Sequence, residues 1–309
     1  MKILKLKPYF SKKIWGSDRL KDFGFDISDQ TDIGEAWVIS AHENGMSYID
    51  SDDQYNNLRL KELFENHKEL FNNYKGSYPL LVKIITANDY LSVQVHPDDN
   101  YALTHHNQLG KPESWYIIDA NKNAELIYGH MAKNKAELTN LVNQNKWDQL
   151  LKKVRIQPND FLYVPTGKIH AITPNLVVYE LQRSSDITYR FYDYNRIDKT
   201  TNKPRKLDIF NSIQCTNTPD SDDLIIHNAN NKVFSSEFFS LFVLDCNDIK
   251  EFEVDEKCDW LQLTVISGYG YINDMFFKQG QSAITINGVE KLIVKGKIKI
   301  IISWIKNND

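Results

Sequence analysis

Gln94 and His96 stand two residues apart in the run LSVQVHPDD (91–99). On a strand that spacing puts both side chains on one face. Pro97 follows at once and cannot continue a hydrogen-bonded ladder. Lys111 and Glu113 repeat the spacing in GKPESWYII (110–118), and His170 opens a strand after a Pro-x-Gly turn in VPTGKIHAI (164–172). Together these stretches offer two imidazoles, a carboxylate and an amide oxygen. Such a nitrogen and oxygen set suits zinc that keeps open positions for chemistry, and the lack of a cysteine beside it argues against a closed structural zinc site. Spacing alone leaves another reading open, in which each residue is a packed or solvated polar group of an ordinary strand. His42, beside Glu43, is a further pocket candidate. His67, His105, His106, His130 and His227 have no such framing, and most of them read as surface or turn residues.

The elements that would carry these residues are mostly strands. EAWVISAH (35–42), LLVKIIT (80–86), LSVQVH (91–96), SWYIID (114–119), AELIYG (124–129), FLYVP (161–165), LVVYELQ (176–182) and ITYRFYDY (187–194) are short and rich in β-branched and aromatic residues. Gly, Pro, Asn or Asp bounds each of them. Helical period is confined to 56–72 and 134–151. Asp98 and Asp99 read as turn or helix-capping residues, not as ligands. This pattern predicts a mostly β sandwich or jelly roll with a few helices, not a parallel α/β sheet. Residues 195–223 are polar and turn-rich and read as a linker with one short helix near KLDIFNSI (206–213). Beyond it, 238–246, 259–273, 282–286, 291–296 and 297–305 read as strands of a smaller β domain. The expected division is 1–220 for the unit with the metal site and 225–309 for a unit without metal ligands.

Composition narrows the partners. The 309 residues are 41% hydrophobic and 25% charged, with a net charge of −4. That gives no basic field for nucleic acid or an anionic membrane, and leaves room for a local pocket that takes a small anion. The three cysteines, Cys215, Cys246 and Cys258, form no disulfide framework and fit a reducing compartment. No apolar run is long enough to span a bilayer, and the N-terminus lacks the apolar core of a signal peptide. A cytoplasmic location is expected.

VPTGKIHAI resembles the second cupin motif, Pro-x-Gly-x-x-His. With KIWG (13–16), IGEAWVISAH (33–42), LLVKII (80–85), LSVQVHPDD, GKPESWYII and ELQRSSDITYRFYDY (180–194), the chain resembles type I mannose-6-phosphate isomerase in its short bacterial form. The pieces occur in the family's order and span residues 13–194. The resemblance implies a cupin jelly roll with a smaller C-terminal jelly-roll-like domain. It also implies one zinc ion per chain, and interconversion of mannose 6-phosphate and fructose 6-phosphate through a cis-enediol. The implied metal ligands are Gln94, His96, Glu113 and His170, and the implied catalytic residues are Lys83, Lys111 and Arg190. Pro112 departs from the pattern, where a small or polar residue is expected; a proline is tolerated at an edge or a bulge.

Each residue also has a structural alternative. Lys83 could snorkel from an edge strand, Lys111 could be a solvated turn residue, and Arg190 could pair with Asp186 or Asp193. Trp15, Trp37 and Trp115 read as core. Other functions compatible with the motifs are a related isomerase of different substrate, a non-catalytic cupin that binds a sugar phosphate, and an iron-dependent cupin dioxygenase.

Overall fold

The alternating runs do form strands, and every one of the pairings that build the three large sheets is antiparallel. The structure is a computed structural model that describes residues 1–28, 30–198 and 201–306. A five-stranded sheet runs in the order Leu151–Arg155, Glu125–His130, His170–Ala171, Val93–Val95, Tyr189–Tyr192. A seven-stranded sheet runs in the order Leu224–Ile226, Phe161–Val164, Glu113–Asp119, Leu176–Arg183, Leu80–Ala87, Ile33–Ile39, Tyr9–Ser17. The two face each other across a core that includes Ile85, Trp115, Ile117, Leu126, Tyr128, Leu162 and Val178. The result is a mostly β jelly roll of the cupin kind with few helices.

The period of two sorts every strand onto two faces. Val93, Val95, Tyr189 and Phe191 turn away from the inter-sheet core and pack on helical residues Ala102, Leu138, Val142 and Ile213. Val82, Ile84, Tyr116, Tyr179 and Leu181 turn the other way, onto Leu241, Val243, Ile284 and Ile301 of the C-terminal sheet. That leaves Gln94, Arg190, Lys83, Glu113, Glu180 and Gln182 on the inner parity, between the two sheets. Along the inner rows, Ile85, Ala87, Ile117, Leu176 and Val178 make one end apolar, and these polar residues make the other end polar.

A nine-stranded sheet forms the C-terminal part and wraps a second core containing Leu244, Leu263, Val265, Ile300 and Ile302. Strands Lys2–Lys7 and Tyr48–Asp50 join this sheet, the former pairing with 282–286. The start of the chain is thus part of the sheet that its end builds. Residues 291–305, read as two strands, are one strand, Leu292–Trp304. Gly296 is not a turn there. It has φ +118° and lies against Gly270 of the neighbouring strand, where a Cβ would come within 2.9 Å of the Gly270 Cα.

The helices are shorter than their periodicity suggests. Leu60–Asn66 gives way to a 3₁₀ turn, Lys68–Phe71, at His67. Lys135–Asn143 and Trp147–Leu150 are separated by Asn145 at positive φ. The short helix expected in the polar segment is Ile209–Cys215. Asp98 caps a further helix, Asp99–His106, by accepting a hydrogen bond from the Tyr101 amide at 2.8 Å. No helix among the described residues is long and apolar enough to cross a membrane.

Candidate metal centre

His96 follows the strand Val93–Val95, Glu113 opens Glu113–Asp119, and His170 opens His170–Ala171. All three are 0–1% exposed. Their ligating atoms lie within 4.8 Å of one another, and among the described residues this is the only such group of three or more His, Cys, Asp or Glu side chains. The two Nε2 atoms are 3.2 Å apart. Glu113 brings Oε2 to 3.2 Å from His96 Nε2 and Oε1 to 3.4 Å from His170 Nε2.

The far side of each ring fixes its tautomer. His96 Nδ1 donates to the Ile187 carbonyl and His170 Nδ1 to the Lys168 carbonyl, both at 2.8 Å. A carbonyl only accepts, so the proton of each neutral imidazole sits on Nδ1 and each Nε2 presents a lone pair to the centre. Burial, reinforced by the Lys111 charge, pulls the His96 pKa down to about 4, and burial likewise lowers that of His170. Burial alone would raise the Glu113 pKa, but Lys111 and His96 outweigh it and hold the carboxyl well below its usual range. Two facing lone pairs and a carboxylate, all out of water, repel one another; the Lys111 ammonium, 2.8 Å from Glu113 Oε2 and 3.2 Å from His96 Nε2, relieves this on one side only and does not reach between the two imidazoles. Both Glu113 oxygens lack a hydrogen-bond partner, although Lys111 Nζ lies 2.8 Å from Oε2 as an ion contact. The donor types and the unsatisfied oxygens fit a divalent metal with nitrogen and oxygen ligands.

A cavity beside this cluster is lined by Gln94, Lys83, Lys111 and Arg190, and also by Lys13, Trp15, Glu35, Glu180, Asp186 and Arg205. Gln94 pairs in register with His170 on one side and Arg190 on the other, so it sits between them in one row of the sheet. Lys111 Nζ is also 3.2 Å from His96 Nε2. Pro112 precedes the first residue of its strand, where a missing N–H removes no ladder bond, and Lys111 still reaches the cluster.

Arg190 does not form the ion pair with Asp186 or Asp193 that its sequence context allowed. Asp193 is taken by Arg196 and Arg205, and the Arg190 Nε is buried without a partner. Lys83 does not snorkel from an edge; it is buried and stays charged. Burial acts to lower its pKa, but Glu180 and Glu35 outweigh it and raise the pKa. Its ammonium donates to Glu180 at 2.9 Å and to Gln182 at 2.6 Å.

His42 lies outside the cavity lining, with its ring edge-on to Trp37. Trp115 is core, as expected, and sets its edge against the His170 ring, while its Nε1 donates to Glu180. Trp15, read as core, is buried and also lines the cavity. Glu35 and Glu180 were not singled out from the sequence. They share inner parity with Trp37 and Gln182, so extending the two-residue alternation along each strand would have found them. Arg205 arrives from the polar segment read as a linker, and no spacing rule points to it.

Comparison with known proteins identifies the family. A family described as phosphomannose isomerase type I, catalytic domain, matches residues 3–149. A protein of Streptococcus mutans named mannose-6-phosphate isomerase is 40% identical over 310 residues, covering 96% of each chain. One from Bacillus subtilis with the same description is 47% identical over 215 residues, which is 69% of this chain and 67% of that protein. The crystal structure of the mannose 6-phosphate isomerase from Bacillus subtilis superposes with a TM-score of 0.89 at 36% identity, covering 98% of this chain and 99% of that one. With that identity held over nearly the whole length of both chains and the same fold beneath it, the chain belongs to the type I phosphomannose isomerase family.

Proposed function

We propose that this protein interconverts mannose 6-phosphate and fructose 6-phosphate through a cis-enediol, using one zinc ion held by His96, Glu113, His170 and Gln94. The observation that carries the reading is the buried trio itself, with two Nε2 atoms and a carboxylate converging and neither Glu113 oxygen hydrogen-bonded. Family membership supplies the substrate class. Bound zinc would act as a Lewis acid toward the oxygens on C1 and C2, where negative charge grows as the proton moves between those carbons.

The remaining work falls to the side chains around the cavity. Lys111, against both Glu113 and His96, is the lysine placed to hand a proton to a substrate oxygen at the ring-opening end. Lys83 stays charged on Glu180 and fixes that carboxylate and the Gln182 amide in position. Arg190 makes no ion pair among the described residues and has its Nε buried without a partner, which leaves its guanidinium to face the substrate's negative groups. On this reading residues 1–220 carry the reaction and 225–309 contribute no ligand. The free cysteines fit the cytoplasm.

The test is a coupled assay for fructose 6-phosphate, run with metal analysis of the same preparation. Turnover of mannose 6-phosphate that chelator abolishes and zinc restores, with one zinc per chain, is the expected result. Full turnover after the metal is stripped would overturn the metal mechanism. Absence of turnover in the zinc-loaded protein would overturn the substrate.

A further inference from the structure

We propose that Arg205, held in place by Asp193, acts with Arg190 as the grip for the substrate's phosphate monoester, across the sheet from the metal ligands. The proposal rests on the sugar-phosphate reading above and names the part of the site that the motifs leave unassigned. Arg190, Gln94 and His170 are neighbours in one row over three adjacent strands. Neighbouring strands lie about 4.8 Å apart, which puts the Arg190 backbone roughly 10 Å from that of His170. A hexose 6-phosphate carries its reacting carbons, C1 and C2, at one end and its phosphate at the other. A molecule laid along this row with C1 and C2 at the histidines brings its phosphate toward Arg190.

Charge accounting within the cavity singles out the same end. Lys111 is paired with Glu113 at 2.8 Å, Lys83 with Glu180 at 2.9 Å and Lys13 with Glu35 at 3.1 Å. The remaining lining carboxylate, Asp186, accepts from the neutral Asn44 amide at 2.8 Å and keeps its charge, which offsets only part of that of the two arginines. Arg190 has no ion pair among the described residues, and its Nε is buried without a partner. Arg205 is engaged on one edge only. Its Nε donates to Asp193 Oδ2 at 2.8 Å and its Nη2 to Oδ1, while Nη1 has no protein partner among the described residues. Asp193 is itself shared with Arg196, whose Nη2 lies 2.5 Å from Oδ1, so one buried carboxylate faces two guanidiniums.

Arg190 and Arg205 therefore line one cavity with excess positive charge between them. Burial and the Arg205 charge push the Arg190 pKa down and outweigh the opposite pull of Asp193, Asp208 and Asp186; a dianion seated between the two arginines would relieve their mutual repulsion. Guanidinium forks match the oxygens of a phosphate better than a lysine does. The backbone supports the arrangement, because the Asp208 amide donates to the Arg190 carbonyl at 2.9 Å and ties the segment after Arg205 to the Arg190 strand.

Arg205→Gln tests this directly. Asp193 keeps Arg196 as a partner in that variant, so no buried carboxylate is stranded. We expect KM for fructose 6-phosphate to rise by roughly 10- to 100-fold, as for loss of one charge-assisted fork, with a much smaller fall in kcat and unchanged zinc content. Inhibition by inorganic phosphate, and its binding measured by calorimetry, should weaken in parallel, while Arg205→Lys should recover part of the loss. Unchanged KM together with unchanged phosphate binding would overturn the proposal. So would a collapse of kcat at constant KM, which would put Arg205 at the reacting carbons. Calorimetry with inorganic phosphate does not depend on turnover. If the wild-type protein proves not to isomerise its substrate, the anion grip is still tested, and the two failures remain distinct.

Discussion

The jelly roll that carries the histidines and the C-terminal sheet share the same strand rhythm, and both bury polar side chains. They treat those side chains in opposite ways. In the C-terminal sheet, Gln262 is 1% exposed and fully engaged, with its amide donating to the Tyr78 hydroxyl and its carbonyl accepting from Ser303, both at 2.9 Å. Ser282 bonds Thr264 at 3.1 Å, and Thr285 accepts from the Leu261 amide at 2.8 Å. Between the two sheets of the jelly roll, Glu113 has no hydrogen bond at either oxygen and the two imidazole lone pairs face each other. Buried polarity that closes on itself specifies packing. Buried polarity that converges without closing marks a place for a ligand.

The largest effects should come from the unclosed set. His170→Ala or Glu113→Ala should lose bound zinc and lower turnover together, by roughly 10³-fold or more. An activity that survives in a metal-free variant would remove the basis of the contrast. Next comes Arg190→Ala. It should keep the zinc and lower kcat/KM by about 10²–10³-fold, the range for removing a guanidinium that grips the substrate's phosphate. A normal kcat/KM in that variant would make Arg190 structural, and its unpartnered Nε would then need another explanation.

Much of the unclosed set was legible because its residues are rare in strands and sit at strand ends. Gln94 and His96, Lys111 and Glu113, and His170 after a Pro-x-Gly turn are visible as types and spacings. What brings them together is not. His170 meets Gln94 only through a register across 76 residues, and Glu180 meets Lys83 through a pairing across 97. Strand register is set by which face must be buried, and that is a property of the assembled sheets.

The same limit explains the misreadings. Gly296 looks like a turn signal, but it is a glycine inside a long strand where two backbones pass closely. Residues 2–7 fall in the unit expected over 1–220, but they form the strand Lys2–Lys7, which pairs with 282–286 of the C-terminal sheet. Arg205 was hidden for another reason. It lies in a polar segment, where an arginine is ordinary, and only its contact with Asp193 sets it apart.

The closed set makes smaller and opposite predictions. Gln262→Leu should cost about 1–3 kcal/mol of stability in urea unfolding, because it takes the Gln262 amide from the buried Tyr78 hydroxyl and leaves Ser303 only its 3.4 Å contact with the Tyr179 hydroxyl. It should leave kcat/KM for the isomerase reaction unchanged, since no atom of this network lines the cavity. A loss of activity without a loss of stability would mean that the C-terminal sheet reaches into the chemistry after all.

The finest test is the pair Thr264 and Ser282, whose hydroxyls bond each other with both residues 1–2% exposed. Ser282→Ala alone leaves the Thr264 hydroxyl buried without its partner and should cost about 1–3 kcal/mol, the desolvation penalty of a stranded polar group. Adding Thr264→Val removes that stranded hydroxyl and puts an isosteric methyl in its place. The double variant should therefore lie within about 1 kcal/mol of the wild type and be more stable than the Ser282→Ala single variant, because replacing both partners by apolar groups of similar shape is close to neutral. Additive losses in the double variant would show that these hydroxyls do more than satisfy each other, and the C-terminal sheet would no longer stand as the purely structural half of the contrast.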